Sequence, residues 1–239
     1  MKHVFIPLPD TDFDVTEVAV PWKLLTRAGH RVTFITETGA VIPAADPLLL
    51  TGVLFGQLAA EAEPKQFYEE LTRAPEFRAP VSWKGLDVSA FDALLLPGGH
   101  APGMKQYLGS VELQDCVRRF VALGRPVGAI CHGVLVAARA GVLVGKKTTC
   151  LPAYMERTAF WLTAWRRGRY YRTYPAYVEE EVRSSLSAPG DFVRGPMHLM
   201  SRGTDTDDGP AFVVEDGNYV SARWPGDAYR FARAFIAKL

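Results

Sequence analysis

The sequence predicts an α/β protein built on a mostly parallel sheet and interrupted by two irregular, lid-like insertions. Three observations carry this. Short apolar runs alternate with stretches of helical periodicity over residues 4–36, and the pattern resumes at 91–140. Two of the runs empty straight into tight turns, Pro97-Gly98-Gly99-His100 and Cys131-His132-Gly133. At about 39–90 and 152–210 the pattern lapses, with prolines in the first stretch and aromatics and arginines in the second. Both segments read as insertions in a single domain spanning 1–239.

Val4 to Leu8 is a buried strand that exits at Pro9-Asp10. From Thr16 the apolar positions Val18, Val20, Trp22, Leu24 and Leu25 fit a helix, with Thr16 or Asp14 as N-cap and Gly29 as its stop. Arg31 to Thr36 is β-branched and apolar, a second strand. Strand, helix and strand form a βαβ unit, which requires parallel pairing and a right-handed crossover. One helical patch, Lys65 to Thr72, stands out within the first insertion. Phe91 to Pro97 is the next core strand, Val111 to Leu123 a helix, and Arg125 to Ile130 a further strand. An alanine-rich helix, Val134 to Ala140, stops at Gly141, and Lys147 to Cys150 reads as a short strand. Asp216-Gly217 between two apolar runs is a hairpin signal, and an amphipathic helix closes the chain from Asp227 to Leu239.

Composition excludes several classes. The 239 residues are 48% hydrophobic and 22% charged, enough for a sizeable core without staples. With 27 basic and 26 acidic residues the net charge is +1, unlike the basic excess of nucleic-acid domains. No apolar run reaches the roughly 18 residues of a membrane span, and the first ten residues lack the apolar core of a signal peptide. Three cysteines without C-x-x-C spacing suggest reduced thiols and a cytoplasmic setting.

The chemistry concentrates where parallel strands end, because ligands bind at the carboxyl edge of open α/β sheets. Ala129-Ile130-Cys131-His132-Gly133 has the form of a nucleophile elbow, with Ala for the first glycine and Cys for the serine. Small flanking residues let strand and helix approach while the nucleophile takes a strained backbone and points outward. Amides at a helix N-terminus favour a thiolate, so the helix should lower the pKa of Cys131. The N–H of His132 and those near Gly98, Gly99 and His100 are candidate oxyanion or substrate donors. The bland alternative for Cys131 is an inert buried thiol, which suits Cys116 and Cys150 better. No histidine spacing resembles a metal site, so neither metal nor cofactor is expected. The segment Trp161 to Tyr174 interleaves arginine with aromatics; it reads as a helix and loop packed over the core, with base stacking the weaker alternative.

Four stretches resemble the ThiJ/PfpI superfamily: Leu94 to Pro102, Val127 to Gly133, Ala140 to Thr148 and Asp216 to Arg223, with Glu17 ahead of them. The resemblance covers nearly the whole core and the insertions only loosely. It implies a flavodoxin-like three-layer sandwich related to class I glutamine amidotransferase domains. It also implies a reactive cysteine at Cys131, its adjacent histidine at His132, and a helix-borne acid, Glu17, protonated beside the sulfur. Like charges so close cannot both ionise cheaply, which raises the acid's pKa. Its hydrogen bond would stabilise a thiolate, or a sulfinate after oxidation.

The chain departs from the family in places. Glutaminases of this class carry His-x-Glu downstream of the cysteine, whereas His198 is followed by Met200, so glutamine hydrolysis is not expected. Where PfpI-type peptidases place an acid after the Ala-Pro pair, this chain has Gly103. The third acid of the chaperone-glyoxalase branch aligns with Ala153, which leaves Glu156, a few residues on, as the nominated orienting acid. The resulting expectation is a cysteine-dependent hydrolase or glyoxalase-like lyase acting on a small carbonyl compound, through Cys131, His132, Glu17 and Glu156. The alternative is a redox-sensing or stress-protective protein whose Cys131 is oxidised to sulfinic acid. Nucleic acid and membrane are not expected partners; a homodimer is what the family resemblance suggests.

Overall fold

The computed structural model describes residues 1–197 and 201–239. β1 (His3–Pro7) is buried over its last four residues, as an interior parallel strand must be. It leads through β2 (Thr11–Phe13) into α1 (Val15–Arg27). Asp14 starts that helix: its Oδ1 accepts from the amides of Thr16 at 2.8 Å and Glu17 at 3.0 Å. Gly29 ends it with φ at 78°, a conformation open to glycine. β3 (Arg31–Thr36) then pairs in parallel with β1, completing the βαβ unit.

The first insertion contains β4 (Ala44–Ala45), α2 (Pro47–Thr51), α3 (Ala62–Leu71), α4 (Pro75–Arg78) and β5 (Val81–Ser82). It is not wholly a lid. β5 pairs with β3 and forms one edge of the central sheet, while β4 pairs with β2 in a separate two-stranded ribbon. Neither two-residue strand is long enough to leave a periodic signal in sequence.

β6 (Ala93–Leu96), α5 (Met104–Gly109), α6 (Val111–Val121), β7 (Val127–Ile130) and α7 (Gly133–Arg139) follow. The stretch 147–150 forms no regular strand; a single parallel bridge joins Thr148 to Phe192. α8 (Ala153–Arg167) and α9 (Val178–Ser184) lie in the second insertion. β8 (Val213–Asp216) and β9 (Tyr219–Ala222) form the antiparallel hairpin, and α10 (Ala228–Ile236) closes the chain.

The seven strands run in the order β5-β3-β1-β6-β7-β9-β8, all parallel except β8. α1 packs against α10 in one helical layer and α7 against α5 and α6 in the other, an α/β sandwich with helical insertions. Crossovers diverge on either side of β1, so the carboxyl ends of β1, β6 and β7 open onto a shared crevice. No helix among the described residues is long and apolar enough to cross a membrane.

Candidate active site

Cys131 follows the last residue of β7 with φ at 56°, one of four non-glycine residues in the left-handed region among the described residues. Such a conformation costs on the order of 1 kcal/mol or more and persists only where surroundings enforce it. Two features do so here. The Cys131 amide donates to Ala222 O at 3.1 Å, extending the β7–β9 ladder by one residue. Gly133 packs so close to β6 that a Cβ there would stand 2.2 Å from Leu96 O. A side chain at Gly98 would likewise meet the His132 amide nitrogen at 2.7 Å and Glu17 Oε2 at 2.8 Å. The small residues of both turns are thus steric requirements of one junction.

Three of the nominated groups converge. Cys131 Sγ lies 3.4 Å from His132 Nδ1, so the adjacent imidazole does reach the sulfur. Glu17, fully buried on α1, accepts from the Gly98 amide through Oε2 at 2.8 Å. Its Oε1 has no hydrogen-bond partner in the interior among the described residues. Burial, then the Asp14 charge, push the Glu17 carboxyl well above the usual range. Burial also pushes the Cys131 thiol up, with Glu17 and Asp14 adding to it and the His132 amide pulling the other way. The helix N-terminus does favour the thiolate, but desolvation outweighs it. Glu17 and Cys131 therefore compete to keep a proton, and the pair resists carrying two charges. Burial lowers the imidazoles of His132 and His100 to about 3, so both rings are neutral at neutral pH.

The other nominated residues fall differently. The Gly98 N–H is committed to Glu17, and Gly98 does not line the cavity described below, so it is not a free oxyanion donor; Gly99 and His100 do border that cavity. Glu156 lies in the first turn of α8, buried and facing the same cavity. Its Oε2 accepts from the Val178 amide at 3.1 Å at the start of α9, and no hydrogen bond joins it to His132 among the described residues. Burial raises its pKa to about 7. Gly103 is glycine for a local reason: a Cβ would stand 2.4 Å from Thr11 Oγ1, and Asp12 Oδ2 accepts from its amide at 2.7 Å. The β2–β4 ribbon leaves no space there for an acid. His198 and Met200 lie outside the described residues.

Several participants escape the sequence analysis. Asp14, read there only as a possible cap, is buried beside Glu17 and borders the cavity; burial raises its pKa to about 6. Over the two imidazoles sits an aromatic cluster from the second insertion. Tyr171 stacks on His100 with ring centroids 4.2 Å apart, Tyr170 meets it edge-on at 4.5 Å, and Tyr174 lies 5.7 Å from His132. The two insertions are joined over the site: the Tyr170 hydroxyl donates to Asp46, and Arg167 Nε donates to Val53 O at 2.6 Å. The crowding of tyrosines at 170–174 was the available signal, but nothing in it names their target.

The cavity has a volume of about 340 Å³. Cys131, Gly99, His100, Asp14 and Glu156 border it, and most of the remaining wall is apolar. Among the described residues no group of three or more His, Cys, Asp or Glu side chains is placed to hold a metal ion.

Comparison with known proteins agrees with this architecture. A family model described as ThiJ/PfpI family-like matches residues 8–196. The chain is 29% identical to a protein named deglycase PfpI from Pyrococcus furiosus, over 239 residues that cover 100% of this chain and 99% of the relative. An uncharacterized Schizosaccharomyces pombe protein is 30% identical over 193 residues, 77% of this chain and 69% of its own length. The crystal structure of glyoxalase III from Candida albicans superposes with a TM-score of 0.68 at 18% identity, covering 100% of this chain and 97% of the other, a likeness of fold.

Proposed function

Because the chain belongs to the ThiJ/PfpI family, we propose that it is an enzyme whose Cys131 thiolate attacks a carbonyl carbon, converting a 2-oxoaldehyde and water to a 2-hydroxy acid. The observation that carries this is the placement of one strained, cavity-facing sulfur between the His132 imidazole at 3.4 Å and a buried, proton-holding Glu17.

Each group has a definable part. Glu17, held up by burial and the Asp14 charge, keeps its proton, so that when the thiol ionises the one negative charge the pair accommodates resides on Cys131. The Gly98 amide fixes the carboxyl in place. The thiolate adds to the aldehyde carbon, forming a C–S bond, and the carbonyl oxygen takes a proton to give a hemithioacetal. His132, a neutral base beside the sulfur, removes the C1 proton and returns it to C2 through an enediol. C1 is thereby oxidised to a thioester while C2 is reduced to an alcohol, and no external oxidant or reductant is needed. Water then cleaves the thioester, giving the hydroxy acid and restoring the thiol. Names of relatives such as deglycase and glyoxalase III accord with carbonyl chemistry of this kind.

The test is conversion of methylglyoxal to lactate without glutathione. Wild type should turn over and Cys131→Ser should lose at least a thousandfold in kcat/KM. Equal rates in both proteins would sink the proposal. A second role, oxidation of the same sulfur, is favoured by one observation: of the three cysteines only Cys131 borders the cavity, whereas Cys116 and Cys150 are fully buried. Mild peroxide should then leave a sulfinic acid on Cys131 alone, detected by peptide mass spectrometry.

A further inference from the structure

The cavity that meets the sulfur is much larger than a three-carbon aldehyde needs. Its volume, about 340 Å³, lies within the roughly 300–1,000 Å³ of sites that take drug-sized ligands. The wall away from Cys131 is apolar: Leu58, Met155, Ala159, Leu162 and Trp224 face the space. Its charges do not select an ion. Asp14 and Glu156 oppose an anion, while Arg202, seated over the Trp224 ring at 4.7 Å and 3.6 Å from Glu61, opposes a cation. Three of the five apolar residues belong to α8, so the insertion and not the core shapes this compartment.

Resting on the proposed thiolate chemistry, we infer that the substrate is an uncharged carbonyl compound with a medium-length apolar tail, its carbonyl at Cys131 and its tail along Met155, Ala159 and Leu162. Each methylene withdrawn from water improves binding by about fourfold. An eight-carbon substrate carries five methylenes more than methylglyoxal and needs only part of that gain to be strongly preferred.

The experiment compares 2-oxooctanal, methylglyoxal and the anionic 2-oxoaldehyde 4,5-dioxopentanoate as substrates. Wild type should favour 2-oxooctanal over methylglyoxal by about 30-fold or more in kcat/KM, with 4,5-dioxopentanoate poorest. Ala159→Phe, which fills the compartment, should reduce that preference about tenfold, and Leu162→Asp, at a position already more than half exposed, should do the same without threatening the fold. Turnover dependent on Cys131 but without preference for the longer aldehyde would overturn the tail and leave the thiolate chemistry standing. The converse is resolved by calorimetric titration of unreactive 2-octanone into Cys131→Ala. Saturable binding, weakened at least tenfold by Ala159→Phe, supports the apolar site even if no aldehyde is turned over. Absence of binding overturns it.

Discussion

Two regions of this molecule meet at the same sulfur and are built on different rules. The elbow, from β6 through β7 to α7, is specified by backbone approach. Gly98 and Gly133 are required because neighbouring atoms stand closer than a side chain permits, and Cys131 is held in a left-handed conformation by the ladder to Ala222. The cap, from α2 and α8 to the tyrosines at 170–174, is specified by side chains that touch one another. Tyr170 reaches Asp46, Tyr171 covers His100, and the outer face of α8 leaves Trp161 and Trp165 in solvent. The elbow positions the reacting atom and tolerates almost no change. The cap shapes what reaches that atom and has room to vary. One pattern of chemistry can therefore carry different substrates by changes in the cap alone.

The comparison can be broken most decisively at Gly133. Ala there must displace Leu96 O from 2.2 Å, so Gly133→Ala should cost at least about 3 kcal/mol in urea unfolding and abolish turnover. A loss below 1 kcal/mol would show that the elbow is as adaptable as the cap. Next is the acid behind the sulfur. In wild type, Glu17 pushes the Cys131 thiol up while Cys131 pulls the Glu17 carboxyl down against burial and the Asp14 charge, and the linked pair should give alkylation kinetics with two coupled steps against pH. Glu17→Gln removes one titrating partner while keeping an acceptor for the Gly98 amide. Iodoacetamide rates should then follow a single step with a displaced midpoint; an unchanged profile would exclude Glu17 as a tuning group.

A smaller effect sharpens the cap side. Glu156 titrates at about 7 in the folded protein and near 4.5 in an unfolded chain. The unfolded state therefore releases this proton first, and the group's contribution to stability declines as pH rises from about 4.5 to about 7, then levels off. Glu156→Gln removes that decline yet can still accept from Val178. Relative to wild type, the variant should gain about 1–3 kcal/mol between pH 5 and pH 8, or about 2–10 °C in Tm by calorimetry. No relative gain would mean the carboxyl is ionised without penalty. The smallest effect belongs to Trp165→Ser, on the exposed face of α8, which should change stability by under about 0.5 kcal/mol in the same assay.

How much of this was legible in the sequence follows from the same contrast. Buried parallel strands leave unbroken apolar runs, and the elbow leaves small residues at fixed spacing, so β1, β6, β7 and the Cys131 turn were readable, as was the Asp216-Gly217 hairpin. The strands β2, β4 and β5 were not, since two or three residues carry no period. The commitment of the Gly98 N–H to Glu17 was also hidden, because it joins groups 81 residues apart. A titrating Asp14 was concealed behind its capping role, which a local pattern explains by itself. Contacts such as Tyr171 on His100 depend on how an irregular segment folds back, and composition identifies the aromatic crowd but not its destination.

One feature of the sheet edge bears on how a guest gets in. Just beyond β9, Arg223 and Asp227 form a fully buried ion pair at 2.8 Å. Arg223 also donates to Pro196 O, and Asp227 accepts from the Phe212 amide. Breaking such a pair strands a charge in the interior, so this side of the crevice, with Trp224 and Pro225 between the two residues, is pinned. The opposite side is α8, whose outward Trp161 and Trp165 are mostly exposed and whose ties to the first insertion, Arg166 over Phe55 and Arg167 to Val53 O, lie nearer the surface. The two walls of the crevice are therefore unequal: the Trp224 side is a doorpost fixed by buried charge, whereas α8 is secured by contacts that water can compete for.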